Sequence, residues 1–122
     1  MGRTKNPKKS SSTGIIPNKD ENIEKKVERL IEAGAYHPTG HAKERLDQRE
    51  ITIAEVTAVI SCGKREKNKD EYHKTDFYGN RINRWAYAYR RKTLDERDLR
   101  VCVSIDGSRN KLLLIVTAID IL

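Results

Sequence analysis

Apolar residues in the first third of the chain recur every three or four positions, which is the spacing of an α-helix. Across residues 20–33 they form one stripe: Ile23, Val27, Leu30 and Ile31. Acidic residues stand in the first turn, where the helix dipole favours them. Gly34 suits the left-handed conformation that ends many helices. The pattern predicts a helix over 20–33, followed by a loop at Tyr36–Gly40.

A second predicted helix begins at His41 and has one cationic face. His41, Arg45 and Arg49 are four positions apart, so their side chains share that face. Ala42 and Leu46 form the adjoining apolar stripe. Two interpretations follow, namely a site for a polyanion or a solvated face with acidic neighbours. On spacing alone the solvated face is the commoner case.

The third predicted helix has a well-defined start. Thr52 stands at the N-cap and Glu55 three positions later, which is the pattern of a capping box. Ile51 and Val56 occupy the positions of a hydrophobic staple across this boundary. The apolar pattern stops near Gly63, so the sequence predicts a helix between Thr52 and Gly63.

Beyond residue 64 the hydrophobic period falls to two, as in β-strands. One predicted strand, 83–92, directs Trp85, Tyr87 and Tyr89 to one face and Arg84, Ala86, Ala88 and Arg90 to the other. Further strands are predicted at 99–105 and 112–121, joined by a hairpin loop at 106–110. Helices followed by strands predict an α+β domain, with N-terminal helices packed on a C-terminal antiparallel sheet of about four strands.

The positive charge of the chain is unevenly distributed. The net charge is +7, to which residues 1–19 contribute +5, residues 20–61 contribute −3 and residues 62–100 contribute +5. We predict a disordered basic tail over 1–19 and one domain over 20–122. A surface polarised in this way favours a polyanion such as RNA. The sequence shows no apolar run of membrane-spanning length and no secretory signal, which indicates a cytoplasmic protein without a membrane partner.

Metal-independent RNA cleavage requires a base for the ribose 2′-hydroxyl, cations for the phosphate and an acid for the leaving oxygen. Histidines titrate near neutrality, which makes His41 and His73 candidates for proton transfer. Arginines bind phosphate in a bidentate manner, and aromatic rings stack on bases. The candidate substrate-binding residues are Arg45, Arg49, Arg84, Arg90 and Tyr87. Tyr87 has a structural alternative, because one face of its strand is expected to be buried.

The order of these motifs resembles a bacterial domain family of unknown function. His-Ala-x-x-Arg-x-x-x-Arg-x-Ile begins at His41, a helix ending in Gly follows, and the closing strand contains Leu114–Ile119. The resemblance covers about residues 37–122. That family is grouped with RelE-type ribonuclease toxins and the barnase/EndoU/colicin-like nuclease fold. The resemblance implies a RelE-like ribonuclease toxin or toxin-derived effector, with RNA as substrate and an antitoxin or immunity protein as partner.

A weaker similarity is to the motility quorum-sensing regulator toxin, another RelE-like ribonuclease. It rests on Tyr72-x-Lys74, Trp85-x-x-x-Tyr89-Arg90 and the closing apolar strand. The similarity implies that the catalytic lysine of that toxin corresponds to Lys74. The glutamine after its tryptophan is Ala86 in this chain, and its later tyrosine and lysine have no counterpart. Its site is therefore not carried over as a whole.

These observations lead to two hypotheses from different classes. The first is a small metal-independent ribonuclease that uses His41 and Lys74 for proton transfer and needs no cofactor. The second is a non-catalytic module that binds RNA or a protein on the same surface. A metal site at His37 and His41, with Cys62 nearby, is a weaker third option, because closed zinc sites normally need four ligands.

Overall fold

The computed structural model describes residues 15–106 and 112–121. Its three helices are α1 (Ile23–Glu32), α2 (Gly40–Arg49) and α3 (Ile53–Cys62). Its six strands are β1 (Tyr36–Pro38), β2 (Lys64–Arg65), β3 (Glu71–Thr75), β4 (Arg81–Lys92), β5 (Asp98–Ile105) and β6 (Leu113–Asp120), with a short 3-10 helix at Lys67–Lys69. The predicted α+β class is confirmed. The predicted hairpin loop at 106–110 lies almost entirely outside the described residues.

The sheet is larger than predicted, and it is mixed rather than antiparallel. Its strand order is β1-β6-β5-β4-β2, and β3 pairs with the first half of β4. Strand β1 runs parallel to β6, whereas the other pairs are antiparallel. The expectation of about four antiparallel strands was wrong in count and direction. The closing strand β6 lies between β1 and β5, which explains its nearly continuous apolar sequence.

The segment predicted as a loop at Tyr36–Gly40 instead forms β1. Leu113 donates its backbone N–H to Ala35 at 2.9 Å, and Thr39 donates to Ile115 at 3.0 Å. Proline lacks a donor and is tolerated in an edge strand, so Pro38 does not prevent this pairing. Strand β1 thereby fixes the chain beside β6 immediately before α2 begins.

The local predictions for α1 are confirmed. Ile23, Val27 and Leu30 are buried against the sheet and α3. Gly34 has φ of 70°, and the N–H of Ala35 bonds to the carbonyl of Leu30 at 2.9 Å. That 6→1 bond is characteristic of a Schellman C-cap, which requires a left-handed residue and therefore favours glycine.

Both ends of α3, at Thr52 and Gly63, are as predicted. The Thr52 side chain accepts from Glu55 N at 3.1 Å, and Glu55 accepts from Thr52 N at 2.9 Å. Gly63 ends the helix in an extended conformation (φ −84°) rather than a left-handed one. A Cβ at this position would collide with the Val59 carbonyl oxygen and lie 2.7 Å from that of Arg90. Glycine is needed here because α3 and β4 approach closely.

The core lies between the helices and one face of the sheet. Tyr87 and Tyr89 point into it with 5% exposure each, as their strand alternation predicted. Val101 and Val103 of β5 are fully buried beside them. The opposite face of the sheet carries no helix among the described residues, and it is there that the candidate site lies.

Candidate functional site

The N-terminus of α2 forms one wall of a groove on the open side of the sheet. Thr39 is held by its bond to Ile115 of β6, and its hydroxyl accepts from Ala42 N at 3.1 Å. Thr39 is therefore the N-cap, and Gly40 and His41 are the first helical residues. Their backbone N–H groups precede the first intrahelical bond, so they are directed out of the helix end.

The groove has a volume of about 470 Å³. Its floor is the face of β4, β5 and β6 that the helices leave open, and its second wall is the β3–β4 hairpin. The lining residues are Thr39, Gly40, His41, His73, Thr75, Asp76, Phe77, Tyr78, Ile82, Arg84, Ser104, Leu114, Val116 and Thr117. Two imidazoles, one guanidinium and several hydroxyls thus share one concave surface.

A turn of fixed shape places two aromatic rings at the mouth of the groove. The Asp76 carboxylate accepts from Tyr78 N at 2.9 Å and from Asn80 N at 2.8 Å. Phe77 and Tyr78 remain 66% and 64% exposed, with their ring centroids 5.4 Å apart. Large exposed aromatics are costly to hydrate and are common at binding surfaces. Their presence distinguishes this turn from an ordinary hairpin connection.

His41 is stacked beneath one of these rings. The imidazole and the Phe77 ring have centroids 3.9 Å apart and an interplanar angle of 14°. Nδ1 of His41 is buried and has no hydrogen-bond partner in the described part of the chain. Proton exchange between His41 and a ligand in the groove would therefore use Nε2.

His73 and Arg84 face each other across neighbouring strands. They form a register pair between β3 and β4, so their side chains leave the sheet on the same side. Nε2 of His73 lies 3.5 Å from the Glu71 carboxylate, which is itself 73% exposed. No carboxylate pairs with Arg84 among the described residues. Its guanidinium is available to an anion in the groove.

The charge of Arg84 also acts on the turn. Desolvation raises the pKa of Asp76, but hydrogen bonds from Asn80 and Tyr78 and the nearby charge of Arg84 outweigh it. The net effect is a pKa below the usual value. Asp76 is consequently an ionised anchor for the turn at neutral pH rather than a proton donor.

Strand β3, which carries His73, is attached to β4 through Asp70. The Asp70 side chain has no exposed surface and accepts from Arg65 at 2.9 and 2.8 Å. It also accepts from Ala88 N at 2.8 Å and from Lys19 Nζ at 2.9 Å. These four bonds hold the chain immediately before β3, and thereby fix one wall of the groove.

Five of the seven predicted site residues lie outside the groove, and three of them are on α2 and β3. Lys74 is exposed, but its neighbours on β3 line the groove, so alternation directs it to the other face. Arg45 donates to Gln48 of its own helix at 3.2 Å. Arg49 donates to the carbonyl of Ala118 at 2.8 Å and so fastens α2 to β6. The cationic face of α2 therefore contributes only His41 to this site.

The remaining predictions on β4 are corrected as well. Tyr87 is buried, and its hydroxyl accepts from Asp20 N at 2.9 Å, so it does not reach a ligand in the groove. Arg90 is bound by Asp98 at 2.7 and 3.0 Å and by Glu66 at 3.2 Å. Both carboxylates favour its charged form, and they raise its pKa. Its charge is balanced within the protein.

The expected shallow floor between Arg84 and Arg90 is not formed. Ala86 and Ala88 are only 1% and 0% exposed. They are register partners of Glu71 and Cys102, and neither methyl group is accessible to a ligand. The accessible surface is confined to the Arg84 end of β4, beside His73.

The aromatic turn is not among the site residues predicted from the sequence. Phe77 and Tyr78 stand between Asp76 and Gly79, in a segment predicted only to be a turn. Two successive aromatic residues in a hairpin turn are unusual, since such rings are normally buried. This unusual pair of aromatic residues is the feature of the sequence that could have indicated a binding surface at the turn. Thr39 was missed because the N-cap of α2 was not assigned.

A family model described as a domain of unknown function, DUF4258, matches residues 39–120. The chain belongs to the DUF4258 family. The match runs from the N-cap of α2 to the end of β6, and all the residues that line the groove lie inside it. Helix α1 and strand β1 precede the matched segment. A search of curated proteins gave no match to this DUF4258 protein.

Two further properties of the described residues bear on the site. None of the helices is long and apolar enough to cross a membrane. No group of three or more His, Cys, Asp or Glu side chains in the described ranges comes together as a metal site would require.

Proposed function

We propose that the groove binds single-stranded RNA and cleaves it by metal-independent general acid–base chemistry. The observation that carries this proposal is the presence of His41, His73 and Arg84 on one concave surface, beside two exposed aromatic rings. His41 and His73 replace the predicted pair of His41 and Lys74 as the proposed proton-transfer residues. The fold is α+β, and a RelE-like toxin role remains part of the proposal.

The reaction assigns a task to each of these side chains. His41, through Nε2, removes the proton of the ribose 2′-hydroxyl, and a bond forms between O2′ and phosphorus. The bond from phosphorus to O5′ breaks, and His73 donates a proton to the leaving oxygen. The Glu71 carboxylate, 3.5 Å from Nε2 of His73, orients this imidazole. The products are a 2′,3′-cyclic phosphate and a 5′-hydroxyl end.

Arg84 and the aromatic turn hold the substrate. A guanidinium without a carboxylate partner can bind the phosphate oxygens and stabilise the charge of the transition state. The exposed faces of Phe77 and Tyr78 provide a stacking surface for an unpaired base. Bases in a duplex are already stacked on one another, so this geometry favours single strands.

The test is cleavage of a single-stranded RNA oligonucleotide by the purified protein in the presence of a chelator. We expect His41→Ala and His73→Ala each to lower the rate about 100-fold or more, as for other general acid–base groups. His37→Ala is the matched control, because His37 lies outside the groove, and it should retain activity. Full activity of His41→Ala would contradict the proposed mechanism.

A second candidate function is RNA binding without cleavage. It is favoured by the Phe77 ring, which covers one face of the His41 imidazole. In that case the wild-type protein would bind the oligonucleotide but leave it intact. Arg84→Ala would then weaken binding, while no product with a cyclic phosphate end would form.

A further inference from the structure

We propose that RNA continues beyond the groove across the open edge of β3 and contacts a second surface there. This surface, here called the β3 patch, consists of Tyr72, Lys74, Trp85 and Lys19. The inference rests on the proposed function, since it assigns a second contact region to the same RNA strand. It also gives a role to Lys74, which does not line the groove.

The β3 patch lies on the opposite face of the hairpin from His73. Tyr72 and Trp85 form a register pair, and their rings meet edge to face with centroids 5.6 Å apart. Nζ of Lys19 lies 5.2 Å from the centre of the Trp85 ring. Because successive residues of a strand point to opposite faces, Lys74 lies on the same side as Tyr72. Aromatic rings with adjacent ammonium groups are typical of surfaces that bind single strands.

The chain around the patch is held in place by several bonds. Trp85 Nε1 donates to the Pro17 carbonyl at 2.9 Å, and Lys19 donates to Asp70 at 2.9 Å. Lys19 also donates to the carbonyl of Lys67 at 3.1 Å. These contacts order residues 17–19 along the patch.

The local charge favours a polyanion. Lys67, Lys69 and Lys74 are exposed and form no ion pair with any described residue. Asp70, which follows Lys69, has a buried side chain already paired with Arg65 and Lys19. The exposed Glu71 lies beside His73 on the other face of β3. These three lysines therefore have no carboxylate partner among the described residues, unlike Arg90 on the other half of β4.

The topology makes the two surfaces neighbours. Strand β3 pairs only with β4 among the described strands, so its outer edge is free. The groove is bounded by α2 on one side and by the β3–β4 hairpin on the other. A strand that leaves the groove over β3 passes from His73 to Tyr72 and Lys74 within the width of one strand. The groove contacts the reacting nucleotide, and the β3 patch contacts nucleotides further along.

The experiment compares two probes that cannot be cleaved. Uridine 3′-monophosphate is sized for the groove, whereas a 2′-O-methyl RNA of about twelve nucleotides spans both surfaces. We expect Tyr72→Ala to bind the long RNA about tenfold more weakly, because a stacking ring is lost. For Lys74→Ala, the slope of log affinity against log salt should become shallower by about 0.7. Neither change should alter binding of the mononucleotide.

The controls separate this inference from the proposed function. Tyr72→Phe keeps the ring and should retain affinity, and Lys25→Ala removes an exposed lysine of α1 and should change neither probe. Equal binding of the long RNA by all variants, with the mononucleotide still bound, would overturn the β3 patch as an RNA surface and favour a protein partner there. Failure of the wild-type protein to bind either probe would instead refute the proposed function.

Discussion

Replacement of Asp70 by Asn should strongly destabilise the domain, because Asp70 is the anion on which β3 depends. Its side chain is fully buried and binds Arg65, whose side chain is only 10% exposed. The substitution leaves an acceptor for Ala88 N but removes the charge. Removal of one partner from a buried ion pair typically costs about 3–5 kcal/mol, because the other charge stays buried and unpaired. That loss is a large part of the free energy of unfolding of a typical domain, which is roughly 5–15 kcal/mol.

The assay is thermal unfolding followed by circular dichroism. A loss of about 3 kcal/mol corresponds to a fall in Tm of about 12 °C or more for a domain of this size. The matched control is Asp20→Asn, since Asp20 pairs with Lys26 at the surface and such pairs contribute about 1 kcal/mol or less. If Asp70→Asn shifts Tm no more than Asp20→Asn does, Asp70 does not anchor β3 as described.

Three further predictions concern the fold. Gly63→Ala should lower the free energy of unfolding in urea by about 2 kcal/mol or more, because the added Cβ would collide with backbone atoms. Gly34→Ala should lower it by only about 1 kcal/mol, the cost of the left-handed conformation. Equal losses of stability in the two variants would refute the close approach at Gly63. Thr52→Ala should cost about 1 kcal/mol through loss of the helix cap, and an unchanged melting curve would contradict it. Hydrogen bonds from arginines hold the pKa of Asp98 and Glu66 below their usual 3.8 and 4.5, so in acid the unfolded chain binds more protons than the folded one. Tm should therefore be steady above those pH values and fall as the pH drops below them. A constant Tm down to about pH 2 would count against the ion pairs.

The elements predicted correctly are those determined by nearby residues. The capping box at Thr52 and the Schellman turn at Gly34 involve groups only a few positions apart, so their patterns are visible in the sequence. Strand β1 is different. Its three residues pair with Leu113–Ile115, and nothing near Tyr36–Pro38 indicates that partner. The mixed sheet follows from that long-range pairing and could not be predicted locally.

The candidate site was predicted in part for a similar reason. His41 and Arg84 were both named, and the structure brings them to one groove. Lys74 was chosen in preference to His73, although the two are adjacent on β3. Adjacent residues of a strand point to opposite faces, and the pairing of His73 with Arg84 in β4 places His73, not Lys74, on the groove side. Sequence similarity suggested the lysine, whereas the observed register favours the histidine.

The most direct test of the RNA groove uses the three histidines of the chain, His37, His41 and His73. Their imidazole C–H signals can be followed by NMR while uridine 3′-monophosphate is added, with single His→Ala variants to assign each signal. We predict that His41 and His73 shift together and report the same Kd, whereas His37, outside the groove, stays unchanged. Saturating shifts at His37 alone, or no shift at any histidine, would contradict an RNA site in this groove.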